Sequence, residues 1–135
     1  MINLYIFSNK SRGGLYGVGT YIRELITALR SKSNSIHIHV VHILCDQLQI
    51  EKKEVKDVSY WYFPEPISKE WNLLDQEQRK VYSRNIVYLL RNYIQDQKNL
   101  VFHLNSYRDK SLALELKIAF DCKVITVTHF SEWSS

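Results

Sequence analysis

The sequence is poor in the residues that punctuate or cross-link a chain: 135 residues hold four glycines, two prolines and two cysteines. Two cysteines cannot build the multi-bridge framework of a small stapled domain, and Cys45 and Cys122 do not stand at a metal-ligand spacing. No apolar run approaches the roughly 18 residues that would read as a membrane-crossing helix. The opening stretch "MINLYIFSNK" has no basic lead and only a short apolar segment, so it does not read as a secretory signal. Internal repeats and low-complexity tracts are also missing. Charge is only mildly one-sided, with 18 Lys+Arg against 14 Asp+Glu and a formal balance of +4. That is well short of the dense basic stripe of a dedicated nucleic-acid binder, so nucleic acid is not an expected partner. Unpaired thiols without a secretory signal place the chain in a reducing cytoplasm.

What is present fits one globular domain. Hydrophobic residues make up 45% and charged residues 24% of a chain long enough to bury one continuous core. Residues 2–7, "INLYIF", form a nearly continuous apolar run, the mark of a strand covered on both faces. Ile22, Leu25, Ile26 and Leu29 then fall at i, i+3, i+4 and i+7, one face of a helix. "SIHIHVVHIL" (35–44) reads as a second strand. The polar stretch "DQLQIEKKEVKD" reads as a loop, and "VSYWYF" (58–63) as a third strand stopped by Pro64 and Pro66. Tyr82, Ile86, Leu89, Leu90, Tyr93 and Ile94 keep helical spacing, with Asn99 as a stop signal. "LVFHL" (100–104) is a fourth strand, 110–120 a helix and "KVITVT" (123–128) a fifth strand.

Strands alternating with helices predict right-handed βαβ crossovers. The expected architecture is a Rossmann-like α/β layered domain with a mostly parallel sheet of five or slightly more strands. On that reading Cys45 ends one strand and Cys122 begins another, about 17 Å apart along the strand axis. A disulfide needs Cα atoms within about 7 Å, so two free thiols are expected.

Sheets of this kind bind ligands at the carboxyl ends of their strands. All four glycines cluster there, in residues 13–19 of "SRGGLYGVGTYIRELITALR". Gly17 and Gly19 stand where loop becomes helix, and Thr20 is a candidate cap. Glycine lets backbone approach a ligand closely, and a helix start attracts phosphate oxygens. Lys10, Arg12 and Arg23 add positive charge. A loop whose glycines only make a turn is the alternative. The pattern G-x-x-x-x-G-K-[ST] is absent, which argues against a P-loop nucleotidase. The dinucleotide fingerprint wants a small residue where Ile22 stands, and Asp46 is only a weak match for its acidic residue.

Other strand ends carry His103, Asn105 and Ser106, then Thr128 and His129. A histidine there can donate to a sugar hydroxyl or phosphate, or move a proton; a structural histidine is the alternative. His37 and His39 share one strand face without an evident Cys or carboxylate partner, so no metal is assigned. Their alternation with isoleucine and valine, together with His42, suggests a solvent-facing or edge strand. Tyr60, Trp61, Tyr62 and Phe63, with Trp71, read as core packing, with an acceptor-binding wall or membrane contact as alternatives.

The order of parts, an apolar strand followed by "GGLYGVGTYIRELITAL" and later "FHLNSYRDKSLALELKIAF" and "VITVTHF", resembles the N-terminal domain of a retaining GT-B glycosyltransferase of family 4. The resemblance covers essentially the whole chain through short, degenerate motifs. It implies a donor diphosphate approached by Gly17 and Gly19, with Gly14 beside them, and His129 next to the transferred sugar as the catalytic-site residue. His103 and Asn105 match a less specific stretch contacting acceptor or sugar. Phe130 departs from the small polar residue common after the histidine. The implied donor is a nucleotide-sugar and no further cofactor is needed; the acceptor is a sugar or a lipid-linked one. In such enzymes a C-terminal domain supplies most donor contacts, and this chain stops at "SEWSS", so the domain alone is expected to be inactive. A stand-alone binding or regulatory module for a phosphorylated ligand is the rival reading. The location expected is cytoplasmic, with peripheral membrane contact left open by the basic and aromatic residues.

Overall fold

The computed structural model describes residues 1–9, 17–32, 35–45, 49–64, 75–94, 98–105 and 110–127. Their order is β1 (Ile2–Asn9), α1 (Gly17–Lys32), β2 (Ile36–Cys45), β3 (Glu51–Val55), β4 (Val58–Pro64), α2 (Gln76–Tyr93), β5 (Leu100–Leu104), α3 (Lys110–Phe120) and β6 (Lys123–Thr126). The strands form one six-stranded sheet in the order β3-β4-β2-β1-β5-β6. Every neighbouring pair is parallel except β3–β4. The mostly parallel layered domain expected from the alternation is therefore what the chain forms.

Side-chain alternation sorts the core into two layers. On one face Leu4, Ile6, Ile38, Val40 and Val58 pack with Ile22, Leu25, Ile26 and Leu29 of α1. On the other, Tyr5, Phe7, Val41, Ile43, Trp61, Phe63, Phe102 and Leu104 pack against α2 and α3. Because both faces are covered, the central strand β1 reads in sequence as a nearly continuous apolar run. Trp61 and Phe63 are buried in this second layer, as core packing required, while Tyr60 and Tyr62 are half-buried.

The strand β3 differs from expectation. "EKKEV" is exposed at every position, so it has no apolar alternation to show in sequence. It pairs antiparallel with β4 through a two-residue turn in which Lys56 and Asp57 both have positive φ, 50° and 67°. Mirror-image turns of that kind match the right-handed strand twist. Lys52 lies 4.8 Å from the Trp61 ring centroid and Lys53 5.6 Å from that of Tyr62. Charged side chains on an outer strand also oppose edge-to-edge pairing with other chains.

Asn99 is likewise not a helix stop. The helix α2 opens with a capping box, Asp75 Oδ1 accepting from Gln78 N at 2.8 Å and Gln78 Oε1 accepting from Asp75 N at 3.1 Å. It closes at Tyr93 with Ile94 as C-cap. Asn99 instead makes a positive-φ turn (60°) into β5, and its carbonyl accepts from Asn3 N at 2.9 Å. The Tyr82 hydroxyl donates to the Pro64 carbonyl at 2.7 Å and ties α2 to the end of β4. Neither Cys45 nor Cys122 is in a disulfide. Among the described residues no helix is long and apolar enough to cross a membrane.

Candidate functional site

The carboxyl edge of the sheet is where β1 hands over to α1 and where β5 and β6 end. The described helix opens at Gly17, so Gly17 and Gly19 both lie in its first turn. Thr20 falls within that turn as well, so it is not the cap. Gly14, Lys10 and Arg12 lie outside the described residues. No acidic side chain stands in the first turn of α1. Within that turn no carboxylate meets the N–H groups at the positive end of the helix dipole.

Ile22 is buried against Leu4, Ile6, Ile38 and Val40. It fills the helix–sheet contact where a dinucleotide site uses a third small residue to bring helix and strand together. Tyr21, one residue earlier, reaches the neighbouring strand: its ring stacks on His103 with centroids 6.1 Å apart and planes 27° apart. His103 pairs in register with Ile6 and Ile125 and is buried. Asn105, 2% exposed, donates from Nδ2 to the Phe7 carbonyl at 2.9 Å and so joins the end of β5 to the end of β1. The Val127 N–H then donates to the Leu104 carbonyl at 2.8 Å, holding the chain beside β5 up to that residue. Ser106, Thr128, His129 and Phe130 lie outside the described residues, as do Asp46 and Trp71.

The structure therefore brings Gly17, Gly19, His103 and Asn105 to one edge and adds Tyr21 to them. Tyr21 was not singled out from sequence, although its place four residues after Gly17 puts it one turn along the same helix face. Asn105→Ala is expected to lower stability by about 1–3 kcal/mol, because the Phe7 carbonyl is left buried without that amide. Urea denaturation checks it; an unchanged midpoint would mean the bond contributes nothing.

A second polar group lies at the amino end of the sheet. His39 is 6% exposed, stacked on Tyr5 with centroids 4.1 Å apart and planes 10° apart. Its Nδ1 accepts from Trp61 Nε1 at 3.2 Å, which fixes the neutral tautomer with the proton on Nε2. Burial, reinforced by His37 and Lys52, pushes its pKa down to about 3. His37 Nε2 lies 3.2 Å from Ser59 Oγ, which donates to Glu54 Oε1 at 3.1 Å. With the hydroxyl proton directed at Glu54, His37 acts as donor to Ser59. The alternation that suggested an edge or solvent-facing strand is thus overturned: β2 lies between β1 and β4, and His39 sits in the core because aromatic rings sandwich it. His42, half-buried, stacks on Tyr62 at 5.0 Å. Among the described residues no group of three His, Cys, Asp or Glu side chains could hold a metal ion.

Taken with the sheet order, this is a Rossmann-like α/β domain of the kind found in GT-B proteins. The chain is similar in structure to OtsA, a GT-B glycosyltransferase solved in its apo state, with a TM-score of 0.60 and 11% identity. The match covers 96% of this chain and 33% of OtsA, so the chain spans about a third of that protein's length. No family model matches the sequence. No curated protein sequence matches it either.

Proposed function

We propose that this chain is the N-terminal, acceptor-side half of a retaining GT-B glycosyltransferase of the family 4 type, moving a sugar from a nucleotide-sugar donor to a sugar or lipid-linked acceptor. The observation that carries the reading is the likeness to OtsA over nearly the whole chain, joined to a glycine-opened helix at the sheet's carboxyl edge. Gly17 and Gly19, with Gly14, would let backbone N–H groups approach the donor diphosphate, where the first turn of α1 offers partial positive charge. His129 would stand beside the transferred sugar. His103, stacked on Tyr21, and Asn105, pinned to β1, would form the floor on the acceptor or sugar side.

A partner domain completes this chemistry. Transfer to an acceptor other than water needs a cleft that aligns donor and acceptor and excludes solvent, and one wall does neither. The domain alone is therefore expected to show no transfer. The test is an immunoblot of the native gene product with an antibody against this domain. A band above twice the 16.0 kDa of this chain leaves room for a second domain of ordinary size. A band at 16.0 kDa overturns the transferase reading in favour of a stand-alone module for a phosphorylated ligand.

A further inference from the structure

We propose that a cleft at the amino edge of the sheet binds a small zwitterion with an aliphatic side chain, of the α-amino acid class, at a site separate from the carboxyl edge. The cleft has a volume of about 580 Å³, within the range of small-molecule sites. Three elements meet there: the last turn of α1, the start of β2 and the turn from β3 into β4. Ile36 and Ile38 form its apolar part together with Met1. Ile38 is buried and Ile36 half-buried, and both belong to the layer that α1 covers. From this end the ten residues of β2 run about 30 Å to the glycine-opened edge. One small ligand cannot reach both.

Charge selects the ligand. Arg30 lines the cleft from α1, and Glu54 and Asp57 line it from β3 and its turn; all three are exposed. Glu54 is already answered, since it pairs with Lys52 at 3.4 Å and accepts from Ser59 Oγ at 3.1 Å. Ser59 is fully buried and accepts in turn from His37 Nε2 at 3.2 Å, so this carboxylate is held in place from below. Arg30 and Asp57 differ. Among the described residues neither has an ion-pair or side-chain hydrogen-bond partner, and they do not pair with each other. The cleft therefore presents one unanswered charge of each sign beside an aliphatic patch. A phosphate would meet Arg30 but face two carboxylates, and a diamine would meet the carboxylates but face the guanidinium. A zwitterion answers both with no net charge: its carboxylate accepts from Arg30 and its ammonium donates to Asp57. Its side chain then lies against Ile36 and Ile38, removing apolar surface from water.

The probe is L-leucine, titrated into the 135-residue chain and followed through backbone amide NMR shifts. Two analogues accompany it: leucinamide, which lacks the carboxylate, and N-acetyl-leucine, which lacks the ammonium. Saturable shifts are expected at Ile36, Ile38 and Asp57 but not at Gly17 or Gly19, with a dissociation constant of about 1 mM or tighter. Each analogue is expected to bind at least about ten-fold more weakly, the scale of losing one charge-assisted hydrogen bond. Arg30→Gln is expected to bind L-leucine and leucinamide alike. Asp57→Asn, which keeps the positive-φ turn because asparagine tolerates it, is expected to bind L-leucine and N-acetyl-leucine alike. Both positions are exposed, so thermal unfolding should stay at the wild-type temperature. If a variant unfolds, the three probes on the wild type decide. No saturable shift with L-leucine at about 10 mM, or shifts only at the carboxyl edge, overturns the proposal. So does an analogue that binds the wild type as tightly as L-leucine, or a folded variant that discriminates as the wild type does.

Discussion

Phe102→Ala is expected to lower the unfolding free energy by about 3–5 kcal/mol, the range for truncating a fully buried aromatic. Phe102 is 0% exposed on β5 and meets three other rings, with centroids 5.5 Å from Tyr5, 5.9 Å from Phe7 and 5.4 Å from Phe120. Those rings belong to β1 and to the end of α3, so the cavity would open where strand and helix layers meet. Neighbours fixed by the parallel ladder cannot collapse far into it. A domain of this size has about 5–15 kcal/mol of stability in all, so the loss would leave the variant marginal. Tyr88→Ala, at a 70% exposed position, is the control and is expected to fall within about 0.5 kcal/mol of wild type. Urea denaturation of both variants checks the pair. A Phe102→Ala midpoint near that of wild type would mean that the two layers are not packed as described.

The second large effect is on acid stability. His39 stays neutral in the folded chain down to about pH 3, whereas in the unfolded chain it takes up a proton near 6.5. As pH falls from 6.5 toward 3, the unfolded state binds a proton that the folded state refuses. Stability must fall across that window, by up to about 1.4 kcal/mol per pH unit. His39→Gln keeps an oxygen that can accept from Trp61 Nε1 but cannot titrate. Between pH 6.0 and pH 4.5 the wild type is expected to lose about 1–2 kcal/mol more than the variant. Glu54, whose carboxyl pKa is lowered first by its bond from Ser59 and then by Lys52, loses its contribution below this window and does so in both proteins. Parallel stability curves for wild type and His39→Gln would contradict the buried neutral histidine.

Elements whose two faces are both covered announce themselves in sequence. β1, β4 and β5 appear as apolar runs, and the spacing that predicts a helix over 110–120 gives α3 (Lys110–Phe120) with both ends in place. β3 was not legible because an outer strand, exposed at all five residues, needs no apolar side chains; its only signal is a turn at Lys56–Asp57 that ordinary residues rarely make. Asn99 misled because positive φ serves equally to end a helix or to enter a strand. His39 misled for a longer-range reason. Alternating histidine and isoleucine looks half-exposed until the strand order puts β2 inside the sheet, with Tyr5 and Trp61 against the ring. At the candidate site, the glycine-opened helix was readable from local chemistry. The stacking of Tyr21 on His103 and the bond from Asn105 to Phe7 join residues about 80 and 98 positions apart, and no local pattern encodes a contact at that distance.

The central claim, that these residues belong to a sugar transferase, is tested most directly by assaying the full-length native gene product against a panel of nucleotide-sugars. Release of nucleoside diphosphate is followed in the presence of sugar and lipid-linked acceptors. The predicted result is turnover with at least one donor, reduced roughly 100-fold or more by His129→Ala, the scale expected when a group that supports the transition state is removed. Release from no donor by a two-domain product, or turnover that His129→Ala leaves unchanged, would contradict it.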